Sequence, residues 1–274
     1  MPARPAVPAR AVSGGPARVT LIGHASVLIQ LDGVNVLADP VWSDHIGPVG
    51  PLGPERFQPA GVRFDDLPPI HAVILSHDHF DHLDLPTLHR LADRHHPRFL
   101  AGLGTAALLT DEGIDGGEDL DWWQAAQVGP VTVTMAPAQH WSQRGPGDRQ
   151  HRLWGSYFLA GARRSVYFAG DTAWGPHFAQ VRERLGSPSL ALLPLGAYQP
   201  RWFMRSQHVS PDEAVEAHLT LGAGRSVGIH WGTFDLSDEG PFEPVADLWR
   251  ALGQRGVSEE AFVARYNGGV VEAP

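Results

Sequence analysis

Six residues that directly follow an apolar segment restrict this chain more than any other feature. Ala72–Ser76 has the composition of a buried strand, and His77-Asp78-His79-Phe80-Asp81-His82 comes next. Imidazole nitrogens and carboxylate oxygens are donors that bind Zn²⁺ in proteins. In an extended loop, alternate residues point to one side, so we expect His77, His79 and Asp81 to converge and His82 to reach a neighbouring ion. The segment therefore predicts a metal site at the end of a strand.

If His82 binds a second metal ion, the two ions together need more ligands than this loop supplies. The chain has no Cys, so thiolate ligands and disulfides are both excluded, and any metal must be held by His and carboxylates. It has 15 His. The best additional candidates are His140, Asp171 and His230, because each follows a predicted strand.

The strands come first as hairpins and later alternate with helices. Asp32-Gly33 predicts a turn between the strands Ser26–Leu31 and Val34–Ala38. The other predicted strands are Val19–Ile22, Ala72–Ser76, Val131–Met135, Ser156–Leu159, Ser165–Ala169, Leu190–Leu195 and Ser226–Ile229. This order predicts an α/β fold in which layers of sheet are covered by helices. We expect a flexible tail over residues 1–18 and a single domain over residues 19–274.

Three helices are predicted from their starts and their apolar positions. Asp84 can cap a helix over Leu85–Arg94, with Leu88 and Leu91 facing inward. Ser210-Pro211-Asp212-Glu213 is a capping box, and Gly222 ends the helix that Val215 and Leu219 line. A last helix spans Pro241–Leu252. Its predicted inner face carries Val245, Leu248, Trp249 and Leu252.

Charge and hydropathy exclude several classes of function. The formal net charge is −9 and every basic residue is Arg, so the sequence does not predict a nucleic-acid partner. No apolar segment has the length of a secretory signal or of a membrane span. We therefore expect a cytoplasmic protein whose contact with a membrane is at most peripheral.

The H-x-H-x-D-H loop and the distant His, Asp and His resemble the metallo-β-lactamase superfamily in their order and separation. The resemblance implies an αββα sandwich, with two mixed sheets covered by helices. It also implies two divalent metal ions, with Zn²⁺ expected and Mn²⁺ or Fe²⁺ able to use the same donors. By this resemblance one ion is bound by three His and the other by one Asp and two His, while Asp171 bridges them. The first set is His77, His79 and His140, and the second is Asp81, His82 and His230.

Other segments resemble one branch of that superfamily, the N-acyl-phosphatidylethanolamine-hydrolysing phospholipases D and related bacterial hydrolases. These segments are Leu52–Phe57, Leu120–Trp123, Leu153–Ser156, Gly196–Met204, Gln207–Val209 and Ile229–Phe234. The resemblance implies hydrolysis of a small-molecule or lipid phosphodiester by a hydroxide that two metals share, with Asp81 or Asp171 holding its proton. A lactonase or carboxylic ester hydrolase would use the same metals. A non-catalytic metal-binding protein is a further alternative, which a missing ligand would favour.

Other residues are candidates for supporting roles. Asp39 follows the strand Val34–Ala38, where the family has an Asp that orients a metal-bound His. His24 is a site residue or a core His. His208 precedes the capping box, and the family pattern places it beside the substrate phosphate, where it would act as a proton donor; otherwise it only starts the helix. Some Trp side chains can line a substrate pocket, although most large aromatics are core. They are Trp122, Trp123, Trp141, Trp154, Trp202 and Trp231.

Overall fold

The computed structural model describes residues 5–274, which form two seven-stranded β-sheets. The first sheet is built from β1 (Arg18–Gly23), β2 (Ser26–Leu31), β3 (Val34–Ala38), β4 (Ala72–Leu75), β5 (Arg98–Gly102), β6 (Gly117–Leu120) and β14 (Val270–Glu272). The second is built from β7 (Ala125–Val128), β8 (Val131–Ala136), β9 (Ser156–Ala160), β10 (Ser165–Phe168), β11 (Leu190–Pro194), β12 (Arg225–Ile229) and β13 (Phe262–Ala264). The helices are α1 (Leu85–His95), α2 (Thr105–Asp111), α3 (His177–Leu185), α4 (Arg201–Met204), α5 (Pro211–Leu221) and α6 (Glu243–Arg255).

Both sheets are mixed and have the same pattern of pairing. The strand order is β14-β1-β2-β3-β4-β5-β6 in the first sheet and β13-β12-β11-β10-β9-β8-β7 in the second. In the first, the pairings from β14 to β3 are antiparallel and those from β3 to β6 are parallel. In the second, the pairings from β7 to β10 are antiparallel and those from β10 to β13 are parallel.

Three apolar layers hold the sheets and helices together. The middle layer lies between the sheets and contains side chains of both, such as Ile29, Val36 and Leu159. The outer face of the first sheet packs against α1 and α2, and that of the second against α3, α5 and α6. Burial of apolar surface on both faces explains why most strands are apolar along their whole length. The predicted αββα sandwich is confirmed.

Several local predictions are confirmed and others need correction. Asp32-Gly33 makes the β2–β3 turn with φ of +47° and +83°, and the Ser210–Glu213 capping box is present. Asp84 precedes α1, but its carboxylate accepts hydrogen bonds from Ser43 and Thr87 instead of capping the helix.

Two side chains that were predicted to face inward are exposed instead. Leu219 is 44% exposed and Trp249 is 52% exposed. In their place Ala214 and His218 of α5 and Ala251 of α6 are buried. The small Ala214 and Ala251 allow each helix to pack closely, which an apolar pattern does not reveal. His218 is buried with its Nδ1 2.8 Å from the Ser226 hydroxyl.

The segment that precedes β1 is in contact with the domain. The Ala6 N–H donates to the Gly61 carbonyl and the Val12 carbonyl accepts from the Gly33 N–H, while Gln30 and Asn35 donate to the carbonyls of residues 9 and 10. Composition predicts a flexible tail here and does not indicate these bonds. Residues 1–4 of that tail lie outside the described residues. Within residues 5–274, no helix combines the length and hydropathy that crossing a membrane requires.

Candidate metal centre

The candidate ligands lie together at one edge of the two sheets. His77 follows β4, His140 follows β8, Asp171 follows β10 and His230 follows β12. These side chains contact one another, so the carboxyl ends of strands from both sheets meet at this edge. The close approach needs a small residue: a Cβ on Gly170, whose φ is +59°, would lie 2.5 Å from the Ser76 Cβ.

The loop after β4 turns instead of staying extended. The N–H groups of His82 and Leu83 both donate to the His79 carbonyl, over 3.0 and 2.8 Å. An extended loop would bring Asp81 together with His77 and His79. Because the loop turns, that prediction is wrong for Asp81. The turn directs Asp81 and His82 toward the second sheet, and the loop contributes to two groups of side chains.

The first group consists of three imidazoles. His77 Nε2 lies 2.8 Å from His79 Nδ1, which lies 3.3 Å from His140 Nε2. The opposite nitrogens of two rings are fixed: His77 Nδ1 contacts the Ser76 hydroxyl at 2.9 Å, and His140 Nδ1 donates to the Gln207 carbonyl over 2.9 Å. Because a carbonyl can only accept, His140 Nε2 is left with its lone pair facing the other two rings.

The second group combines a carboxylate with imidazoles. Asp81 Oδ2 lies 3.3 Å from His82 Nε2 and 3.4 Å from His230 Nε2. His24, left open by the sequence, lies here too, with Nε2 2.8 Å from the same oxygen. The His230 N–H donates to the His24 carbonyl over 2.9 Å, so β1 and β12 hold these rings together.

Asp171 lies between the two groups. Its Oδ2 is 3.2 Å from both His82 Nε2 and His230 Nε2, and about 4 Å from the inner nitrogens of the first group, at 4.0 Å for His77 and 3.9 Å for His140. The structure thus brings together all seven ligand candidates named from the sequence.

The donor atoms of this cluster fit divalent cations. Among residues 5–274, buried atoms without a hydrogen-bond partner include Nε2 of His82 and His230, Oδ1 of Asp171 and Nδ1 of His208. An unpaired buried polar group costs about 1–3 kcal/mol, and these four lie in one cluster. Nitrogen and carboxylate donors in this ratio suit Zn²⁺ and its first-row neighbours.

The charges of the cluster are those a cation requires. Burial lowers the pKa of His77 and His140 far below its ordinary value, so both rings are neutral. Burial alone would raise the pKa of Asp171, but attraction to His230 and His82 outweighs it and keeps the carboxyl ionised. Burial alone would lower the pKa of His230, but attraction to Asp171 outweighs it and raises the pKa to about 9. The carboxylates thus stabilise positive charge at this position.

Asp39 contacts the outer ring nitrogen of His82, the one that does not face Asp171, and so lies where the sequence predicts a residue that orients a ligand. Its Oδ2 lies 2.6 Å from His82 Nδ1, and it accepts hydrogen bonds from the N–H and hydroxyl of Ser76, over 2.7 and 2.5 Å. Burial raises the pKa of this carboxyl, against the opposing effect of His82. A carboxylate bound to the outer nitrogen fixes the tautomer and orientation of the ring, so His82 Nε2 faces Asp171.

A cavity of about 370 Å³ opens onto the cluster. His79, Asp81, Asp171, His208 and His230 lie at its inner end. Its walls are mainly apolar and come from Ile46, Phe80, Trp141, Phe203, Met204 and Leu236. We call this space the apolar cavity. Its walls come from segments far apart in sequence, so few of these residues could be predicted from the sequence.

His208 lies in the wall of the apolar cavity, beside Asp171. Its ring is 5.1 Å from that of His140, and its Nδ1 is 3.9 Å from Asp171 Oδ2. Burial lowers its pKa to about 4. Ser210 and Glu213 satisfy N–H groups at the start of α5, so the imidazole, and not the helix terminus, is the polar group offered here.

Few of the Trp side chains proposed for a pocket are near the cluster. Trp141 packs against His79, with ring centres 4.4 Å apart. Trp122 and Trp154 pack together at 6.2 Å, Trp123 contacts Arg184, and Trp202 is 84% exposed. Trp231 packs against Tyr266 and lines a smaller cavity behind His24 and His230.

Known proteins are similar to this chain along most of its length. Residues 34–231 match the family described as Beta-lactamase superfamily domain. An N-acyl-phosphatidylethanolamine-hydrolyzing phospholipase D of Caenorhabditis elegans is 38% identical over 93% of this chain and 75% of its own. The mitochondrial N-acyl-phosphatidylethanolamine-hydrolyzing phospholipase D of Saccharomyces cerevisiae is 33% identical over 84% of this chain, which spans 50% of its length.

Solved structures show the same fold at lower identity. The metallo hydrolase Igni18 of Ignicoccus hospitalis superposes with a TM-score of 0.70 and 19% identity, over 95% of this chain and 99% of its own. The chain belongs to the metallo-β-lactamase superfamily, in the branch of the N-acyl-phosphatidylethanolamine-hydrolysing phospholipases D. It is a metal-dependent hydrolase of that fold.

Proposed function

We propose that the chain binds two divalent ions and hydrolyses phosphodiesters in the manner of a phospholipase D. Zn²⁺ is the expected metal, and Mn²⁺ or Fe²⁺ would accept the same donors. His77, His79 and His140 would hold one ion. Asp81, His82 and His230 would hold the other, with Asp171 between them. The support is geometric, because the inner nitrogens of each group and Asp171 Oδ2 face one another.

Bound ions of this kind lower the pKa of water and neutralise charge on phosphoryl oxygens. The chain's own contribution is to orient the ligands and to keep both carboxylates ionised. Asp81 and Asp171 are both ionised, because attraction to the imidazoles outweighs burial. Either carboxylate can accept the proton of an attacking water. The cluster thus provides an acceptor for that proton without a nucleophilic side chain.

His208 is proposed to contact the substrate and not the metals. Its ring lines the apolar cavity with Nδ1 3.9 Å from Asp171 Oδ2. A nitrogen there can donate to a phosphoryl oxygen or protonate the departing alkoxide. The proposed proton acceptors are therefore Asp81 and Asp171, and the proposed proton donor is His208.

The observation that carries the substrate proposal is the apolar cavity at the cluster. Its aromatic and aliphatic walls would bury an acyl or alkyl arm while the ester phosphorus lies at the cluster. The relatives in C. elegans and yeast are named for hydrolysis of N-acyl-phosphatidylethanolamine. A lipid or small-molecule phosphodiester is therefore the proposed substrate class. The net charge of −9 argues against a nucleic acid.

The test is a comparison of substrate classes on zinc-loaded protein. We expect kcat/KM for bis(p-nitrophenyl) phosphate and for an N-acyl-phosphatidylethanolamine in mixed micelles to exceed that for aliphatic lactones. Asp171→Ala should lose the activity, while the exposed Asp212→Ala should keep it, which excludes a contaminant. A clear preference for lactones would assign the centre to a lactonase, and no turnover of either class would favour a non-catalytic role.

A further inference from the structure

A second cavity lies beside the apolar cavity, on the other side of Phe80. It has a volume of about 350 Å³ and is bounded by residues 43–51, the start of α1 and Arg144. Ile46, Gly47 and Phe80 line both spaces. Since Phe80 stands between His79 and Asp81, both cavities border the loop that carries the cluster.

Arg144 is held in the wall of the second cavity by the loop after β4. Its Nη1 donates to the carbonyls of Asp78 and Leu83, over 2.7 and 2.9 Å, and its guanidinium carbon lies 4.1 Å from the centre of the Phe80 ring. Within residues 5–274, the Arg144 guanidinium donates these two hydrogen bonds, and both come from Nη1. Nε and Nη2 therefore remain as donors for a ligand.

The loop that carries Arg144 is fixed to the cluster loop by a buried carboxylate. Asp78 is fully buried and points away from the His cluster; it accepts the Gln143 N–H over 2.8 Å and Arg152 Nε over 2.5 Å. Asp148 accepts the Gly145 N–H over 2.9 Å and also binds Arg152. Asp78, which lies between His77 and His79 in the sequence, thus fixes the position of the Arg144 guanidinium relative to these two His.

The charges around the second cavity favour a neutral acceptor. Arg144 and Arg152 are balanced by Asp78 and Asp148, while Asp84 adds a further carboxylate at the cavity wall. Asp84 is satisfied by Ser43 and Thr87. Arg56 in turn attracts Asp84, so the surrounding charges leave no positive excess that would draw an anion into the cavity, whereas a carbonyl oxygen can accept from the free donors.

We propose that the second cavity is a substrate subsite that takes the phosphodiester arm with an amide or ester carbonyl, and that Arg144 recognises that carbonyl. The apolar cavity then takes the other arm. This inference rests on the proposed phosphodiesterase function. A phosphorus at the cluster has two ester arms, and Phe80 separates the two spaces into which they extend.

Two matched substrates test the subsite. They are p-nitrophenyl phosphodiesters whose second arm is either 2-acetamidoethyl or pentyl, equal in length but with and without a carbonyl. Release of p-nitrophenolate is followed for both. We expect the wild-type chain to prefer the acetamido substrate by about 10- to 100-fold in kcat/KM, the value of one hydrogen bond from a charged donor.

Arg144→Met should reduce this preference, the ratio of the two kcat/KM values, to nearly 1. Arg149→Met is the matched control, because Arg149 is an exposed Arg of the same loop that contacts Trp141 and not the second cavity. It should keep the preference. A preference that survives Arg144→Met, or that the wild-type chain lacks, would overturn the proposal.

A second variant covers the case in which Arg144→Met disturbs the loop. Leu85→Trp fills the second cavity from α1 and leaves Arg144 and its partners in place. It should exclude the second arm of both substrates from the subsite and so reduce the preference for the acetamido substrate to nearly 1, and an unchanged preference would contradict the subsite. Hydrolysis of lactones but of neither phosphodiester would instead refute the proposed function.

Discussion

Replacing Asp39 with Asn tests how the cluster is held in position. The Asp39 carboxylate is fully buried and is bonded on both oxygens, to His82 Nδ1 and the Ser76 hydroxyl at Oδ2 and to the Ser76 N–H at Oδ1. An Asn side chain has one acceptor oxygen. In either orientation its NH₂ group therefore faces the N–H of His82 or that of Ser76, and one donor loses its partner.

The size of the effect follows from these contacts. A hydrogen bond to a charged acceptor contributes about 1.5–3 kcal/mol, and loss of a carboxylate behind a metal-bound His lowers metal affinity about 10- to 100-fold. A tenfold change corresponds to about 1.4 kcal/mol, so the two figures agree. We expect Asp39→Asn to weaken the ion at Asp81, His82 and His230 by this amount, and the other ion less.

The assay is competition for Zn²⁺ against a chromophoric chelator, with the melting temperature measured in parallel. Asp119→Asn is the matched control, because Asp119 accepts the N–H groups of Gly104 and Ala106, in the first sheet and away from the cluster. It should cost stability and leave zinc affinity unchanged. If Asp39→Asn binds both ions with wild-type affinity, Asp39 stabilises the fold alone and does not position His82 for a metal ion.

Three further substitutions have defined outcomes. Asp171→Ala should abolish turnover and lower the zinc content in elemental analysis, because this carboxylate lies between both groups; full activity would exclude it as a ligand. His208→Ala should keep both ions and the melting temperature while kcat falls about 10²-fold or more; loss of metal would make His208 a ligand, and unchanged kinetics would make it structural. Gly170→Ala should lower the unfolding free energy by about 1–3 kcal/mol, read from urea denaturation, because its Cβ would meet Ser76; an unchanged midpoint would show that the loop relaxes freely.

The sequence predicted the elements whose signals are local. Asp32-Gly33 specifies a hairpin, Ser210 and Glu213 specify a helix start, and apolar segments before His77 and His230 specify buried strands. Short elements such as β6 and α2 were missed. Gly117–Leu120 is partly exposed and carries two acids, so its strand depends on pairing with β5 and not on its own composition.

The residues of the candidate site were predictable from their own pattern, but their grouping was predictable only from the family resemblance. Alternation along an extended loop would group Asp81 with His77 and His79. Two hydrogen bonds to the His79 carbonyl turn the chain instead and group Asp81 with His82 and His230. That turn depends on packing after His82, where Leu83 is buried. The walls of both cavities come from segments that only the tertiary fold brings together, so neither the apolar cavity nor Arg144 could be assigned from spacing.

We propose that two metal ions in this cluster support phosphodiester hydrolysis. The most direct test adds Zn²⁺ stepwise to chelator-stripped protein and measures hydrolysis of bis(p-nitrophenyl) phosphate at each equivalent. We expect negligible activity without metal and a plateau at two equivalents per chain. A plateau at one equivalent would contradict the dinuclear centre, and metal binding without phosphodiester hydrolysis at any equivalent would contradict the proposed function.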